Sequence, residues 1–302
     1  MSRIFEALHK SELDRAGTSL QSTAVATDLL QEVEQAHVSK DTRHPVQPEV
    51  VRVEIAHNHL SQFPSLPIVL PQNSKLVCLT AQESFGAEKF RFLGVRLRQL
   101  QQANSLKTLL ITSTIPEEGK STVAANLAAV LARRQQPKIL LLEGDLRRPS
   151  LASQFGLGNI PGLSEWLQED PCPIKHIYRL EGPNMWFLPA GRPPANPLEL
   201  MQSGKLSNLM SQLSTWFDWI IIDSPPILPL GDTSVWARLA DGILLVTREG
   251  TTKKKMLERG LEALQESKLL GAILNSSVNT DHSDYYQRYG PKALRTAASL
   301  EK

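Results

Sequence analysis

Ten consecutive residues, Ser113-Thr114-Ile115-Pro116-Glu117-Glu118-Gly119-Lys120-Ser121-Thr122, hold the densest chemistry in this chain of 302 residues. They match the spacing GxxxxGK[ST], with Thr114 at the first glycine position. A loop of this length turns its backbone N–H groups inward around a phosphate, and a helix that follows adds its positive end. Gly119 lets the backbone approach closely, Lys120 reaches outer phosphates, and the Ser121 hydroxyl suits Mg²⁺. Thr114, Glu118, Gly119, Lys120, Ser121 and Thr122 are therefore the candidate phosphate-site residues. The plainer alternative is a polar strand-to-helix turn that reads GKST by chance. An apolar run before the loop and a helical stretch after it favour the phosphate site.

Two further apolar runs end in acids. Leu140-Leu141-Leu142 leads into Glu143-Gly144-Asp145, and Ile220-Ile221-Ile222 leads into Asp223. In open parallel sheets ligands bind at the carboxyl ends of strands, so these three acids are expected to converge on the phosphate loop. A metal–triphosphate site needs such groups to hold Mg²⁺ and to accept a proton from the nucleophile. Taken singly, each acid is explained as well by a helix cap. As a set beside GKST, they point to the site.

The elements that must position these groups follow from the pattern over 76–280. Apolar runs at 76–80, 108–113, 139–143, 186–190, 219–223, 242–247 and 271–275 read as strands. Helical stretches are expected near 86–103, 120–134, 197–214 and 252–267. Continuous apolar strands between helices are what a sheet covered on both faces requires, so the fold class is α/β with a doubly wound, mostly parallel sheet. Residues 1–75 differ: five prolines and a single glycine, a short amphipathic helix at 2–15, a linker rich in Ser, Thr, Gln and Ala over 16–48, alternation at 51–55, and a loop at 57–74. The expected organisation is an N-terminal helix and flexible linker (1–75), a nucleotide domain (76–280) and a C-terminal tail (281–302).

Composition narrows the class further. Lys and Arg number 33 against 31 Asp and Glu, a net charge of +2, so no global field favours nucleic acid and none is expected as a partner. The two cysteines, Cys78 and Cys172, cannot build a disulfide framework or a zinc site by themselves. No run approaches the ~18–20 apolar residues of a membrane span, and charges interrupt the N-terminus where a signal peptide is apolar. The expectation is a cytoplasmic protein.

These residues resemble the bacterial tyrosine kinases of the capsular and exopolysaccharide type, enzymes built on the P-loop NTPase fold shared with partition and division ATPases. The resemblance runs over about 76–290, through the loop at 113–122, LLLEGDLRRP at 140–149, LPAGRPPANPLELMQS at 188–203, IIIDSPPILPLGD at 220–232, ADGILLVTREGTT at 240–252 and LLGAILN at 269–275. It implies ATP and Mg²⁺ as cofactors, with Lys120 and Ser121 on the phosphates and metal. It also implies Glu143 as the base on a tyrosine hydroxyl, Asp145 and Asp223 at the metal, and Asn275 at the nucleotide base. The family usually carries Asp where Glu143 stands, so the carboxylate here sits one methylene further out.

The resemblance also gives meaning to the tyrosines. Three of four, Tyr285, Tyr286 and Tyr289, fall within five residues in a polar setting, while Tyr178 lies inside the domain. Such a cluster is either an aromatic patch that packs on a surface or the tail that these kinases phosphorylate in trans; the resemblance favours the tail. It further implies control of polysaccharide polymerisation and export, a membrane-embedded chain-length-determinant or co-polymerase activator, peripheral placement at the inner membrane through that partner, and self-association. The family's ring-forming ExxRxxR helix is incomplete here: Glu88 and Arg91 are present, but Gly94 replaces the second arginine. Glu88 and Arg91 then read equally as a solvated i,i+3 pair. Two rival readings are a partition- or division-type ATPase switch, which would carry a lysine early in the loop where Thr-Ile-Pro stands at 114–116, and an ATP-binding regulator without kinase activity.

Overall fold

The computed structural model describes residues 60–133, 137–168, 175–228, 231–264 and 268–276. Contacts divide the chain into Met1–Val53 and Glu54–Lys302, and every described residue belongs to the second unit. The expected helix at 2–15, the linker, the alternation at 51–55 and the tyrosine cluster lie outside the described residues.

Eight strands form one sheet in the order β1-β4-β5-β3-β6-β2-β7-β8. They are β1 (Ser65–Leu66), β2 (Thr108–Ser113), β3 (Ile139–Glu143), β4 (Tyr178–Leu180), β5 (Met185–Leu188), β6 (Trp219–Asp223), β7 (Gly242–Arg248) and β8 (Leu269–Asn275). Every pairing is parallel except β4 with β5. The helices are α1 (Val77–Thr80), α2 (Phe85–Asn104), α3 (Lys120–Ala132), α4 (Leu151–Gln154), α5 (Leu163–Gln168), α6 (Pro197–Met201), α7 (Lys205–Trp216), α8 (Asp232–Leu239) and α9 (Lys254–Ala263).

The apolar strands are apolar throughout because both faces are covered. Alternate residues feed opposite cores. Leu110, Leu140, Leu142, Ile220, Ile222 and Ile243 pack with Leu206, Leu209 and Leu213 of α7. Leu109, Ile111, Ile139, Leu141, Ile221 and Leu244 pack with Val123, Leu127 and Leu131 of α3. Each such aliphatic side chain removed from water contributes about 1.5–3 kcal/mol. Helix α3 has no polar face: eleven of its thirteen residues are buried, as expected of a helix that is apolar all round. Its small Ala residues let it lie close to the strands that lead into the phosphate loop.

Four departures from the expected elements have local causes. The run Leu76–Thr80 is helical at α1, because Asn126 of α3 reaches across to accept from the Cys78 N–H (2.9 Å) and donates to the Lys75 carbonyl (3.0 Å). A short apolar run does not distinguish strand from buried helix by period alone. The stretch at 197–214 breaks after Met201, where Gln202 caps α6, and Gly204, with φ +77°, opens α7. Packed structure also starts before residue 76: Leu60 is buried, and β1 pairs with β4 at the sheet edge. Helix α8 fills the interval between β6 and β7, which carried no expected element.

Candidate active site

Strands β3, β6 and β2 are adjacent, and their registers set Glu143 opposite Asp223 and Asp223 opposite Ile111. The carboxyl ends of three strands therefore share one edge, where the loop from β2 enters α3. At the end of this loop Gly119 has φ +91°, a left-handed conformation that disfavours any side chain. A Cβ there would lie 2.2 Å from Nδ2 of Asn275. Inside the loop the Ile115 N–H donates to Oε2 of Glu118 at 2.9 Å, and the Ser113 hydroxyl donates to the Ile115 carbonyl at 2.8 Å.

Lys120 sits at the centre. Its ammonium lies 3.1 Å from Oδ2 of Asp145, 3.8 Å from Oδ1 of Asp223 and 3.3 Å from the Ser121 hydroxyl. Burial alone would lower its pKa, but the charges of Asp223 and Asp145 outweigh it and hold the ammonium above the ordinary value. Asp223 is fully buried, and the polar groups it faces are the Lys120 ammonium and the Ser121 hydroxyl, both of which favour its charged form. Burial raises its pKa, against the pull of Lys120. A cavity of about 580 Å³ opens beside these groups, lined by Gly119, Lys120, Ser121, Thr122, Asp145 and Arg148 among others. Its size is that of an ordinary small-molecule pocket.

The structure thus brings Gly119, Lys120, Ser121, Thr122, Asp145 and Asp223 together. Four other expected site residues, like Asp223, do not line the cavity. Thr114 is buried against α9, where Gly260 leaves room for it; a Cβ on Gly260 would meet its Oγ1 and Cγ2 at 3.2 Å. Glu118 is buried and accepts from the Thr252 hydroxyl as well as from Ile115. Asn275 donates to the Glu118 carbonyl at 2.9 Å, so it stands against the phosphate loop. Glu143 is 1% exposed, and both of its oxygens face backbone: Oε1 accepts from Ser150 (2.6 Å) and Leu151 (2.5 Å), and Oε2 accepts from Ala190 (3.1 Å). Burial pushes its pKa up to about 7, against these N–H groups, with the Asp223 charge adding to the rise.

Helix α8 holds the acid loops through residues that sequence reasoning passed over. Asp232 takes Arg147 in a two-pronged pair, with Nε at 2.6 Å and a terminal nitrogen at 3.1 Å. The Trp236 indole donates to the Gly144 carbonyl at 3.1 Å. Hydroxyls of Thr233 (2.8 Å), Thr112 (2.9 Å) and Ser224 (3.1 Å) all donate to the Pro225 carbonyl. The only sequence signal for this group was the clustering of polar residues at 231–234, directly after a proline-rich loop.

On the far side of the loop, Glu88 and Arg91 of α2 pair with each other. Gly94 faces α3, where a Cβ would meet Val130 at 2.8 Å, so no arginine fits without moving the helices apart. Among the described residues no helix is long and apolar enough to cross a membrane.

No protein-family model matches the chain. It is 35% identical over 219 residues to tyrosine-protein kinase YwqD of Bacillus subtilis (strain 168), covering 72% of this chain and 92% of that one. It is 34% identical to a putative tyrosine-protein kinase, CapB, of Staphylococcus aureus, over 68% of this chain and 90% of the relative. The kinase domain of the Escherichia coli tyrosine kinase ETK superposes with a TM-score of 0.62 at 30% identity, covering 66% of this chain and 79% of that structure.

Proposed function

Because this chain belongs to the bacterial tyrosine-kinase family of P-loop enzymes, we propose that it transfers the γ-phosphoryl group of ATP to Tyr285, Tyr286 and Tyr289 of a neighbouring copy. The observation that carries the reading is the convergence of Lys120, Ser121 and Asp145 on one cavity at the carboxyl edge of the sheet, with Asp223 buried beside Lys120.

The site's groups divide the work. Backbone N–H groups at the start of α3, with its positive end, receive the phosphates. The Lys120 ammonium, held between two carboxylates, is charged and aimed at the cavity for the outer phosphates. The fit for Mg²⁺ is good: the buried Asp223 carboxylate, whose oxygens take no main-chain donor, Asp145 on the cavity wall and the Ser121 hydroxyl form the all-oxygen donor set that this ion prefers. Those three residues would hold it, and bound Mg²⁺ would offset the charge that develops on the transferred group. Arg148, Ser150 and Gln154 complete the cavity wall. Catalysis of this kind is positioning plus charge stabilisation, which the two fixed acid loops suit.

Each phosphate on the tail adds about −1.5 to −2 charges, enough to change how subunits associate. The α2 face, with the Glu88–Arg91 pair and exposed Phe92 and Val95, is the surface that we assign to self-association. The resemblance supports the remainder of the reading: control of capsule or exopolysaccharide polymerisation and export, beside a membrane-embedded co-polymerase activator that holds the kinase at the inner membrane. The test is a phosphotyrosine blot after incubation with ATP and Mg²⁺. Wild type gives signal, while Lys120→Met and the Tyr285/286/289→Phe triple variant lose it. A silent wild type, even with its activator, would sink the reading.

A further inference from the structure

The acid at the end of β3 does not address the cavity. Glu143 stands next to Asp223 in register, yet its two oxygens accept three main-chain N–H groups, from Ser150, Leu151 and Ala190. A carboxylate with three such bonds is nearly saturated, and leaving any of those buried N–H groups unpaired costs about 1–3 kcal/mol. Asp223 is as buried as Glu143 and, like it, absent from the cavity wall, but it faces Lys120, whereas both Glu143 oxygens are taken by main chain. Asp145, two positions on from Glu143, lines the cavity and pairs with Lys120.

The segments that Glu143 holds matter to the site. Ser150 itself lines the cavity, and the same segment supplies Arg147, Arg148 and Gln154. Ala190 lies in the loop after β5, which Glu165 joins to the start of α5 by accepting from the N–H groups of Arg192 (3.0 Å) and Gly162 (2.7 Å). Glu143 thus ties the end of β3 to the cavity-lining segment at 147–154 and to the proline-rich loop at 190–195. The additional methylene relative to aspartate gives the carboxylate the length to reach both. We infer that Glu143 is a positioning residue that clasps the 147–154 segment of the nucleotide cavity's wall, and that the acid presented to the reacting groups is Asp145.

This inference rests on the kinase reading of the site, but its main test reads binding. Full-chain wild type, Glu143→Gln and Glu143→Asp are titrated with a fluorescent ATP analogue and Mg²⁺, after thermal melts confirm that each folds. Glutamine places an N–H donor against at least one backbone N–H, and aspartate falls short of Ala190. Both changes are expected to weaken analogue binding about five- to tenfold and to raise KM for ATP in step, with kcat at saturating ATP kept within about tenfold. Unchanged binding in the two variants overturns the inference. So does a kcat loss above about a hundredfold in Glu143→Gln that Glu143→Asp restores, because that is the signature of a general base. Should Glu143→Gln fail to fold, Glu143→Asp alone decides: a base keeps its binding and its kcat, whereas a shortened clasp loses affinity. If the wild type binds the analogue but transfers no phosphate, the kinase reading falls while the binding comparison still judges the clasp.

Discussion

Nδ2 of Asn275 donates to the main-chain oxygen of Glu118 at 2.9 Å, tying the last residue of the edge strand β8 to the phosphate loop. Its Oδ1 accepts from the N–H of Ser276, so the same side chain fixes the point where the chain leaves the sheet. The loop is therefore held from outside its own sequence, by Asn275 and, through the Glu118 carboxylate, by Thr252.

Removing that brace has a measurable outcome. Asn275→Ala deletes two hydrogen bonds, the one to the loop and the more exposed one from Ser276; at about 1 kcal/mol in all, the loss lowers Tm by about 2–4 °C in a domain of this size. The looser loop raises KM for ATP several-fold with less effect on kcat. Calorimetry and steady-state kinetics check both; an unaltered KM would mean that the loop holds its shape without β8.

Lys120→Met exposes the electrostatic arrangement as well as the chemistry. Asp223 is buried with its pKa raised, and Lys120 is what opposes that rise. An acid whose folded pKa lies above its unfolded value supports folding at low pH and loses that support as pH climbs. Without Lys120 the rise is larger, so the variant's Tm deficit in metal-free buffer is expected to be greater at about pH 8 than at about pH 5. A deficit independent of pH would show that Asp223 does not sense the lysine.

Gly144 lies against an indole. A Cβ at this position would stand 2.8 Å from Trp236, whose Nε1 also bonds to the Gly144 carbonyl. Gly144→Ala is therefore an overpacking change, with an expected cost of about 1–3 kcal/mol and displacement of Asp145. Trp236→Phe removes only the hydrogen bond, so denaturant melts should rank it the milder of the two, and phosphotransfer rates should follow that order.

Cys78 is buried on α1, and burial pushes its thiol up to about 12. A raised thiol pKa leaves almost no thiolate under mild conditions. In a Cys172→Ser background the native protein should resist alkylation at about pH 8 and react once denatured. Rapid labelling of the native protein would show that α1 opens.

The sheet was legible because its core strands, such as Leu109–Ile111 and Ile220–Ile222, are apolar on both faces and bounded by helices; strand ends at 108–113 and 219–223 match the structure. The phosphate loop was legible because its residues are local and spaced by the geometry of a phosphate. Contacts that join distant segments were not. Nothing in the sequence near Glu143 announces that Ser150, Leu151 and Ala190 will converge on it, because 47 positions separate Glu143 from Ala190. The Trp236 contact was hidden for the same reason, since its partner Gly144 is 92 positions away. Short elements such as β1, β4 and α4 carry too few residues to show a period and are fixed by pairing alone.

Thr114 and Gly260 share one volume. The phosphate loop of this chain carries a threonine at its first position because the facing turn of α9 has no side chain there, and the two residues fill a single gap between them. Their identities are consequently coupled: alanine at 260 is tight against threonine at 114, but becomes easy to accept once 114 is glycine. Among descendants of this chain the two positions should change together, and Thr114→Gly combined with Gly260→Ala should be less damaging than the sum of the single changes.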